Sequence, residues 1–265
     1  MFKHWDKLKE DFIGRDMFLF LDFDGTLSPI ASTPDEAVLP KENKLLLEKL
    51  VKARNCRVAV VSGRALADIR HHVMLKEMIY VGNHGFEIDG PEIHFESISS
   101  PEINRLLDRI KSELAAAFAP IEGAMIEDKG LTISLHYRLV SPADIPLVQK
   151  TFEKVCRVYE QQKQIVVFTG KKVIEIRPPI LWNKGTAVMW LLKKYKIPLG
   201  KNSPCIYFGD DTTDEDAFDS LRDVGVTVVV GGDASLQSKA GYFVNNTQEV
   251  TAFLKEMLGF LESRV

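Results

Sequence analysis

Two aspartates that stand two residues apart offer the clearest chemistry in this sequence. Asp22 and Asp24 directly follow the apolar run Met17–Leu21, and Gly25 then allows a sharp turn. Such a run predicts a strand of a buried parallel sheet, and open α/β sheets bind ligands at the carboxyl ends of their strands. Two neighbouring carboxylates repel each other there, so they indicate a hard divalent cation, although an isolated Asp-x-Asp-Gly is also compatible with a solvated turn.

Further polar residues follow predicted strands or begin a predicted helix. Ser62 ends the strand 57–61 and offers a hydroxyl group to a phosphate oxygen, but a serine at such a position is by itself more often a helix cap. Lys184 begins a helix, where its ammonium could pair with a carboxylate and a phosphoryl group; by itself it would be a surface lysine. A second acidic cluster follows the apolar run 205–208 and would face the same cation. Its members are Asp210, Asp211 and Asp214.

The segments that must position these residues alternate between strands and helices. Apolar runs predict strands at 17–21, 57–61, 79–81, 205–208 and 226–230. Helical spacing of apolar residues predicts helices at 41–54, 65–72, 184–195 and 214–221, and a last helix beyond Glu249. This alternation is typical of an α/β fold with a Rossmann-like parallel sheet.

The pattern changes near Pro101. Helices are predicted at 102–118 and 142–161, and paired strands at 124–127, 131–137, 165–168 and 172–176. Adjacent strand pairs indicate an antiparallel sheet, so 101–178 is predicted to be an α+β cap inserted into a core formed by 1–100 and 179–265. Hinges between open and closed cap positions are expected at 99–101 and 178–182.

Composition argues against several classes of partner. The 265 residues carry a formal net charge of −3, with 45% apolar and 27% charged residues, which is typical of a soluble globular protein and gives no support for nucleic-acid binding. No apolar run is long enough for a membrane span or a signal peptide, so a cytoplasmic location is the default expectation. Cys56, Cys156 and Cys205 lack metal-binding spacing and are predicted to be buried thiols, and His71 and His72 to be surface residues.

The order of these polar residues along the chain resembles the four motifs of the haloacid dehalogenase superfamily. The insert after the third core strand is similar to the larger cap of its sugar-phosphate phosphatases. The connecting pieces resemble trehalose-6-phosphate phosphatases more narrowly, above all Gly-Asp-Asp-Thr-Thr-Asp-Glu-Asp-Ala-Phe at 209–218. Asn83 departs from that family, in which Glu often precedes the histidine. The other matching pieces are 21–30, 61–64, 82–85, 135–138, 175–178 and 183–185.

The resemblance implies a Mg²⁺-dependent phosphatase with an aspartyl-phosphate intermediate. Asp22 would be the nucleophile and Asp24 the general acid and base. Ser62 and Lys184 would bind the transferring phosphoryl group, and Asp211 and Asp214 would orient the metal waters and the lysine. The metal ligands would be Asp22, the backbone carbonyl of Asp24, and Asp210.

The same resemblance implies that the inserted segment recognises the sugar. Strand alternation places His136 and Arg138 on one sheet face, although the spacing alone favours a solvent-facing row and only the resemblance favours sugar binding. The cap residues expected to bind the sugar are Lys129, His136, Arg138 and Glu175. On the core side, the weaker candidates are Arg64, Asn83, His84 and Gly85.

Rival functions share part of this pattern. Sucrose-phosphate or mannosyl-3-phosphoglycerate phosphatases would use identical core chemistry and differ only in cap contacts. A receiver-type signalling domain also has an aspartyl-phosphate site, but an acid two residues beyond the nucleophile favours turnover. A non-catalytic sugar-phosphate binder would not need the full catalytic set. The expected partner is a small sugar phosphate, without nucleic acid or membrane, and a functional link to a trehalose-6-phosphate synthase stays open.

Overall fold

The computed structural model describes residues 1–96, 100–200, 202–231 and 238–263. The chain divides into two compact units: unit 1 is Met1–Glu96 with Trp182–Val265, and unit 2 is Ser97–Leu181. These limits lie within a few residues of the sequence-derived boundaries, and the roles of core and cap stay predictions. Of the expected hinge at 99–101, Ser99 lies outside the described residues.

Unit 1 contains an eight-stranded sheet in the order β12-β11-β10-β1-β2-β3-β4-β5. The six strands from β12 to β3 are parallel, and β4 and β5 extend the sheet in antiparallel fashion. The central strand β1 pairs with β10 on one side and β2 on the other. The strands are β1 Met17–Leu21, β2 Cys56–Val61, β3 Ile79–Gly82, β4 Glu87–Gly90, β5 Ile93–Glu96, β10 Cys205–Gly209, β11 Val226–Val230 and β12 Tyr242–Val244.

Helices cover both faces of this sheet, which explains why β1 is apolar at every position. Leu19 and Leu21 pack into a core with α1, α2, α3 and α8, whereas Phe18 and Phe20 pack with α6 and α7. Strands covered on both faces have no solvated side, so their sequences lose the polar alternation of a half-exposed strand. The helices are α1 Phe2–Leu8, α2 Lys41–Leu50, α3 Leu66–Val73, α6 Lys184–Lys194, α7 Glu215–Leu221 and α8 Thr247–Glu262.

Sequence periodicity missed some elements of unit 1. The strands β4 and β5 form a hairpin around Pro91 and Glu92, in which Glu92 has a positive φ of 62°. Neither this hairpin, the short β12 nor α1 was expected, and α2 ends at Leu50 instead of continuing to Arg54. The hairpin brings the chain to the edge of the sheet before unit 2 begins.

Unit 2 is an antiparallel sheet in the order β6-β7-β9-β8, with two helices on one face. Ile133 and Leu135 of β7 and Ile174 and Ile176 of β9 pack against α4 and α5. The alternate positions of these strands form the opposite face, which carries the polar side chains described below. The elements are α4 Pro101–Phe118, β6 Met125–Asp128, β7 Ile133–His136, α5 Ile145–Gln161, β8 Val166–Gly170 and β9 Val173–Arg177.

The three cysteines are buried and free, as the sequence predicted. Burial raises the pKa of the Cys56, Cys156 and Cys205 thiols to about 12. Within the described residues, no helix combines the length and the apolar character needed to cross a membrane.

Candidate active site

The ends of three neighbouring strands bring the predicted core residues to one edge of the sheet. Because β1 lies between β10 and β2, Asp22 is flanked by Asp210 on one side and Ser62 on the other. The backbone N–H of Asp22 donates to the carbonyl of Phe208 at 2.9 Å, and that of Ser62 to Val81 at 2.8 Å. Strand pairing therefore continues through the site and holds its backbone rigidly.

Lys184 links this edge to the helix that begins beside it. The first turn of α6 is capped by reciprocal bonds between Asn183 and Thr186. The Lys184 ammonium, which is 2% exposed, donates to Asp22 Oδ1 at 2.8 Å and to Asp214 Oδ1 at 2.7 Å. Burial alone would lower the pKa of Lys184, but the charges of Asp214 and Asp22 outweigh it and raise the pKa above its usual value. The lysine is therefore a fixed cation beside the predicted nucleophile.

Asp214 accepts four hydrogen bonds. Its Oδ1 accepts from Lys184 and, at 2.7 Å, from the hydroxyl of Tyr207; its Oδ2 accepts from the backbone N–H groups of Asp210 and Asp211, at 3.0 and 3.1 Å. A carboxylate offers about four lone-pair sites, so these donors use its capacity. Asp214 is suited to orienting Lys184, which stays its predicted role, and is less suited to binding a metal ion directly.

The acidic cluster provides the hard oxygen donors that Mg²⁺ prefers. Carboxylate oxygens of Asp22, Asp210 and Asp214 lie within 4.8 Å of one another. Burial raises the pKa of Asp22 well above its ordinary value; Lys184 opposes this shift, whereas the charges of Asp214 and Asp210 add to it. A divalent cation on Asp22 and Asp210 would relieve this repulsion, so the residues fit the predicted metal.

The loop after β1 packs closely against this cluster. Gly25 has a φ of +85°, and a Cβ at this position would collide with the carboxylate of Asp210. Asp24 and Ser28 form a bridge within the same loop. Glycine is therefore required here for two reasons, its backbone conformation and the close approach of Asp210.

Asp24 is paired with Arg64, which the sequence had assigned to the sugar. Arg64 Nε donates to Asp24 Oδ2 at 2.7 Å, and Nη2 donates to Oδ1 at 2.8 Å. Arg64 also donates to Asp68 and to the carbonyl of Pro34. The structure thus places this arginine on the predicted acid, and each of its three nitrogens is already engaged within unit 1.

The loop Asn83–Gly85 lies against the turn at Ser62. The backbone N–H of His84 donates to the Ser62 carbonyl at 3.0 Å, and that of Asn83 to the Arg64 carbonyl at 2.7 Å. Asn83 and His84 have φ values of 47° and 55°, a strained conformation that costs non-glycine residues about 1–3 kcal/mol each. Such strain is typical of functional loops, and the predicted sugar contacts of Asn83, His84 and Gly85 stay predictions.

The polar face of the unit 2 sheet gathers three of the four residues of this unit that are predicted to bind the sugar. Lys129 Nζ lies 3.7 Å from Glu175 Oε2 and 3.9 Å from Glu127 Oε2. Glu175 Oε1 accepts from Arg177 Nε at 2.8 Å, and His136 Nε2 lies 2.6 Å from Glu127 Oε2. The side chains of Lys129, Glu175 and Arg177 are each less than 10% exposed. This face is an alternating array of buried charges suited to polyhydroxyl recognition.

Arg138 does not share a strand face with His136, so the parity argument is wrong. β7 ends at His136, and Arg138 lies in the following turn, where Nη2 donates to the Lys171 carbonyl at 2.8 Å in an exposed position. The observed strand β7 is shorter than the expected strand 131–137. The alternation of side chains between the two sheet faces does not continue beyond the end of the strand.

His72 also differs from the surface position expected for it. Its side chain is only 10% exposed, its Nδ1 lies 3.0 Å from the Asp68 carbonyl oxygen, and its ring contacts Phe23 edge-on. His71 is exposed as expected. Helical spacing separates the two residues, so only one of them faces the core.

Glu127, Arg177 and Tyr207 are polar partners that sequence reasoning missed. Glu127 and Glu175 occupy the positions opposite Ser134 on its two neighbouring strands, so strand register could have placed Glu127 on the polar face. Arg177 shares the parity of Glu175 on β9 and could have been assigned in the same way. Tyr207 lies inside the apolar strand β10, and nothing in its spacing indicates that its hydroxyl reaches Asp214.

Known proteins are similar to this chain in sequence and in architecture. Residues 20–248 match the family model described as Trehalose-phosphatase. A trehalose 6-phosphate phosphatase of Zea mays is 33% identical over 261 residues, which cover 92% of this chain and 70% of that protein. A trehalose-phosphate phosphatase of Mycobacterium bovis is 37% identical over 226 residues, 84% of this chain but only 56% of the relative. The chain thus spans little more than half of the mycobacterial protein.

Solved structures give the same result for the fold. The C-terminal domain of Candida albicans trehalose-6-phosphate phosphatase superimposes with a TM-score of 0.82 at 24% identity, covering 96% of each chain. A haloacid dehalogenase-like hydrolase from Bacteroides thetaiotaomicron gives 0.66 at 14% identity, covering 92% of this chain and 100% of that one. These structural similarities confirm the predicted fold, an α/β core with an additional α+β unit that contains an antiparallel sheet. The match of residues 20–248 to the family model and the 33% identity to the Zea mays protein show that the chain belongs to the trehalose-phosphatase family.

Proposed function

We propose that this protein is a Mg²⁺-dependent phosphatase that hydrolyses trehalose 6-phosphate to trehalose and phosphate. The observation that carries the proposal is the buried arrangement of Lys184 between Asp22 and Asp214 in a chain of this family. It gives the nucleophile a fixed orientation and places a cation where a phosphate dianion must approach a carboxylate.

In the first half-reaction, Asp22 attacks the phosphorus atom. A bond forms between a carboxylate oxygen and phosphorus while the bond between phosphorus and the sugar oxygen breaks, and its electron pair stays on the sugar oxygen. Asp24 donates a proton to that oxygen, so trehalose leaves as a neutral alcohol. The result is an aspartyl-phosphate, which divides one difficult displacement into two easier ones.

In the second half-reaction, water takes the place of the sugar. Asp24, now a carboxylate, removes a proton from the water as its oxygen attacks the phosphorus. The bond between phosphorus and Asp22 breaks, which restores the carboxylate and releases inorganic phosphate. One side chain thus acts first as acid and then as base.

The surrounding residues stabilise charge on the phosphoryl group. Lys184 and the hydroxyl of Ser62 would bind its oxygens, and Asp214 keeps the lysine in place. When bound by Asp22, the Asp24 carbonyl and Asp210, Mg²⁺ supplies positive charge that offsets the repulsion between nucleophile and phosphate. Asp211 would orient water near the ion.

Sugar recognition is assigned to the polar face of unit 2. Lys129, His136 and Glu175 supply the donors and acceptors that sugar hydroxyls require, and Arg177 holds one oxygen of Glu175. Arg138, which lies beyond β7, would contact the sugar only from its turn. A functional link to a trehalose-6-phosphate synthase follows from the substrate and stays a prediction.

The test measures phosphate release from trehalose 6-phosphate, sucrose 6-phosphate, glucose 6-phosphate and mannosyl-3-phosphoglycerate. Wild type and Asp22→Asn are compared with Mg²⁺ and with a chelator. We expect a strong preference for trehalose 6-phosphate that both the chelator and the substitution abolish. Preference for another substrate would overturn the specificity assignment, and release that survives Asp22→Asn would overturn the mechanism.

A further inference from the structure

Arg64 donates hydrogen bonds to both carboxylate oxygens of Asp24, the predicted general acid and base. Its Nε and Nη2 donate to the two oxygens of Asp24 at 2.7 and 2.8 Å, the bidentate geometry that fixes both the direction and the plane of a carboxylate. The Asp24 side chain is 40% exposed, whereas that of Arg64 is 7% exposed. The buried partner therefore sets the orientation of the exposed one.

Arg64 is itself held on several sides. Its Nη1 donates to Asp68 Oδ2 at 2.7 Å, and its Nη2 also donates to the Pro34 carbonyl at 2.8 Å. The guanidinium carbon lies 5.4 Å from the centre of the Phe23 ring. Its backbone N–H donates to the Ser62 hydroxyl oxygen at 3.1 Å. A side chain with so many constraints is a rigid support.

The reaction makes orientation at Asp24 important. The same carboxyl group must reach the departing sugar oxygen in one step and the incoming water in the next, and general acid and base catalysis requires hydrogen-bond distance to each. An unsupported aspartate on a turn would rotate among several conformers. Misplacement by about 1 Å can cost on the order of 100-fold in rate.

We propose that Arg64 is a positioning residue for Asp24, and that it acts on leaving-group protonation and water activation without contacting the sugar. This inference rests on the proposed phosphatase function and replaces the sugar-binding role first expected for Arg64. It predicts that loss of the arginine lowers the rate most for substrates whose leaving group must be protonated.

The experiment compares two phosphate esters in wild type, Arg64→Lys and Arg64→Met. Trehalose 6-phosphate has an alkoxide leaving group that needs a proton, whereas p-nitrophenyl phosphate has a stable phenolate leaving group. The rate of alcohol or phenol release in a single turnover reports the first half-reaction alone, because hydrolysis of the aspartyl-phosphate is common to both esters. In both variants this rate should fall at least about tenfold for trehalose 6-phosphate and less than about threefold for p-nitrophenyl phosphate. Lysine should not rescue, because a single ammonium cannot hold both oxygens.

Arg70→Met is the matched control. Arg70 lies on α3 in the same unit and pairs with Asp89, and its side chain is 52% exposed. Among the contacts described, neither Arg70 nor Asp89 bonds to Asp24. The substitution should leave both rates unchanged. Circular dichroism and thermal unfolding of each variant separate a folding defect from a positioning defect.

A double-mutant cycle and a crystal structure complete the test. If Arg64 acts through Asp24, Arg64→Met should add little loss to Asp24→Asn. Equal losses on the two esters, or full additivity in the cycle, would overturn the proposal. So would a crystal structure of Arg64→Lys in which the Asp24 carboxylate keeps its orientation. If wild type prefers another sugar phosphate, the proposed substrate fails, and the same comparison is made with that ester.

Discussion

The charged clusters of the two units differ in the distances between their lysines and the neighbouring carboxylates. In unit 1, Lys184 lies 2.8 and 2.7 Å from its two carboxylates, and these distances are those of direct charge-assisted hydrogen bonds. In unit 2, Lys129 lies 3.7 and 3.9 Å from Glu175 and Glu127, beyond that range. Both lysines are buried, so the difference is one of geometry.

This contrast separates two tasks. Chemistry on the phosphoryl group is the same for every phosphate ester, so a rigid cluster that is organised before substrate arrives costs nothing in specificity. Under the proposed function, sugar recognition by the polar face of unit 2 would exchange partners, because each sugar hydroxyl group would replace a contact made within the protein. We therefore expect loss of Lys184 to affect all substrates and loss of Lys129 to affect trehalose 6-phosphate alone.

The largest effect is expected from Lys184→Met. Removing this cation leaves the buried carboxylates of Asp22 and Asp214 without the positive charge between them, which should lower the free energy of unfolding by about 3–5 kcal/mol. It should also lower kcat at least about 100-fold on trehalose 6-phosphate and p-nitrophenyl phosphate alike. Steady-state kinetics and urea unfolding measure both effects. Lys194→Met, on the exposed end of α6, is the control, and a loss confined to one ester would break the comparison.

Lys129→Met should act on one substrate only. Loss of one charged hydrogen bond to the sugar, worth about 1.5–3 kcal/mol, should lower kcat/KM for trehalose 6-phosphate about 10- to 100-fold. The rate on p-nitrophenyl phosphate should stay within about twofold of wild type, because that ester makes no sugar contacts. Lys111→Met, which removes a more exposed pair with Asp128 in the same unit, should change neither rate. A parallel fall on both esters would show that Lys129 serves the chemistry.

Tyr207→Phe should have a smaller effect within the rigid cluster. It deletes one of the four donors to Asp214, so we expect a loss of about 1 kcal/mol in stability and a fall in kcat of about three- to tenfold. Tyr80→Phe is a matched control, since Tyr80 is a buried tyrosine of unit 1 whose hydroxyl bonds only to Leu75 in the contacts described. It should lose stability and keep its kcat. Equal kcat values for the two variants would show that Asp214 does not need Tyr207.

Thiol accessibility provides the mildest test. It measures the rate of local unfolding within each unit and changes no residue of the proposed active site. The pKa of each buried thiol is raised to about 12, so all three should stay protonated and unreactive at pH 8. A Cys156→Ser variant reports on unit 1 alone, and a Cys56→Ser, Cys205→Ser double variant reports on unit 2 alone. We expect reaction with a chromogenic disulfide reagent only as fast as each unit opens. Rapid reaction in native buffer would contradict the burial.

Sequence reasoning predicted the core better than the inserted unit, and the reason is physical. Asp22, Ser62 and Asp210 each follow an apolar strand, and the order of parallel strands brings their ends together whatever the details of the loops. The end of β7 is set by local competition with a turn, so parity failed at Arg138. Whether a residue lies on a sheet face depends on where its strand ends. The periodicity of apolar residues predicts that a strand exists better than it predicts where the strand ends.

Side-chain partners were harder to predict than backbone positions. Nothing in the sequence separates an arginine that binds a sugar from one that holds a neighbouring acid, so the pair between Arg64 and Asp24 required coordinates. The same is true of Tyr207. The hairpin β4–β5 was predictable in principle, because Pro91 and Glu92 separate two short alternating runs, with Phe86 and Ile88 before the turn and Ile93 and Phe95 after it.

The position of β1 in the middle of its sheet has a consequence for the newly made chain. One of its edges pairs with β10, and Asp22 meets Lys184 across 162 positions of sequence. Until the ribosome has released residues 205–209, β1 therefore remains an unpaired edge of five apolar residues without proline or charge. Such an edge can pair with other chains, which makes it prone to aggregation. The strand that carries the proposed nucleophile is thus also a segment for which molecular chaperones would compete during synthesis.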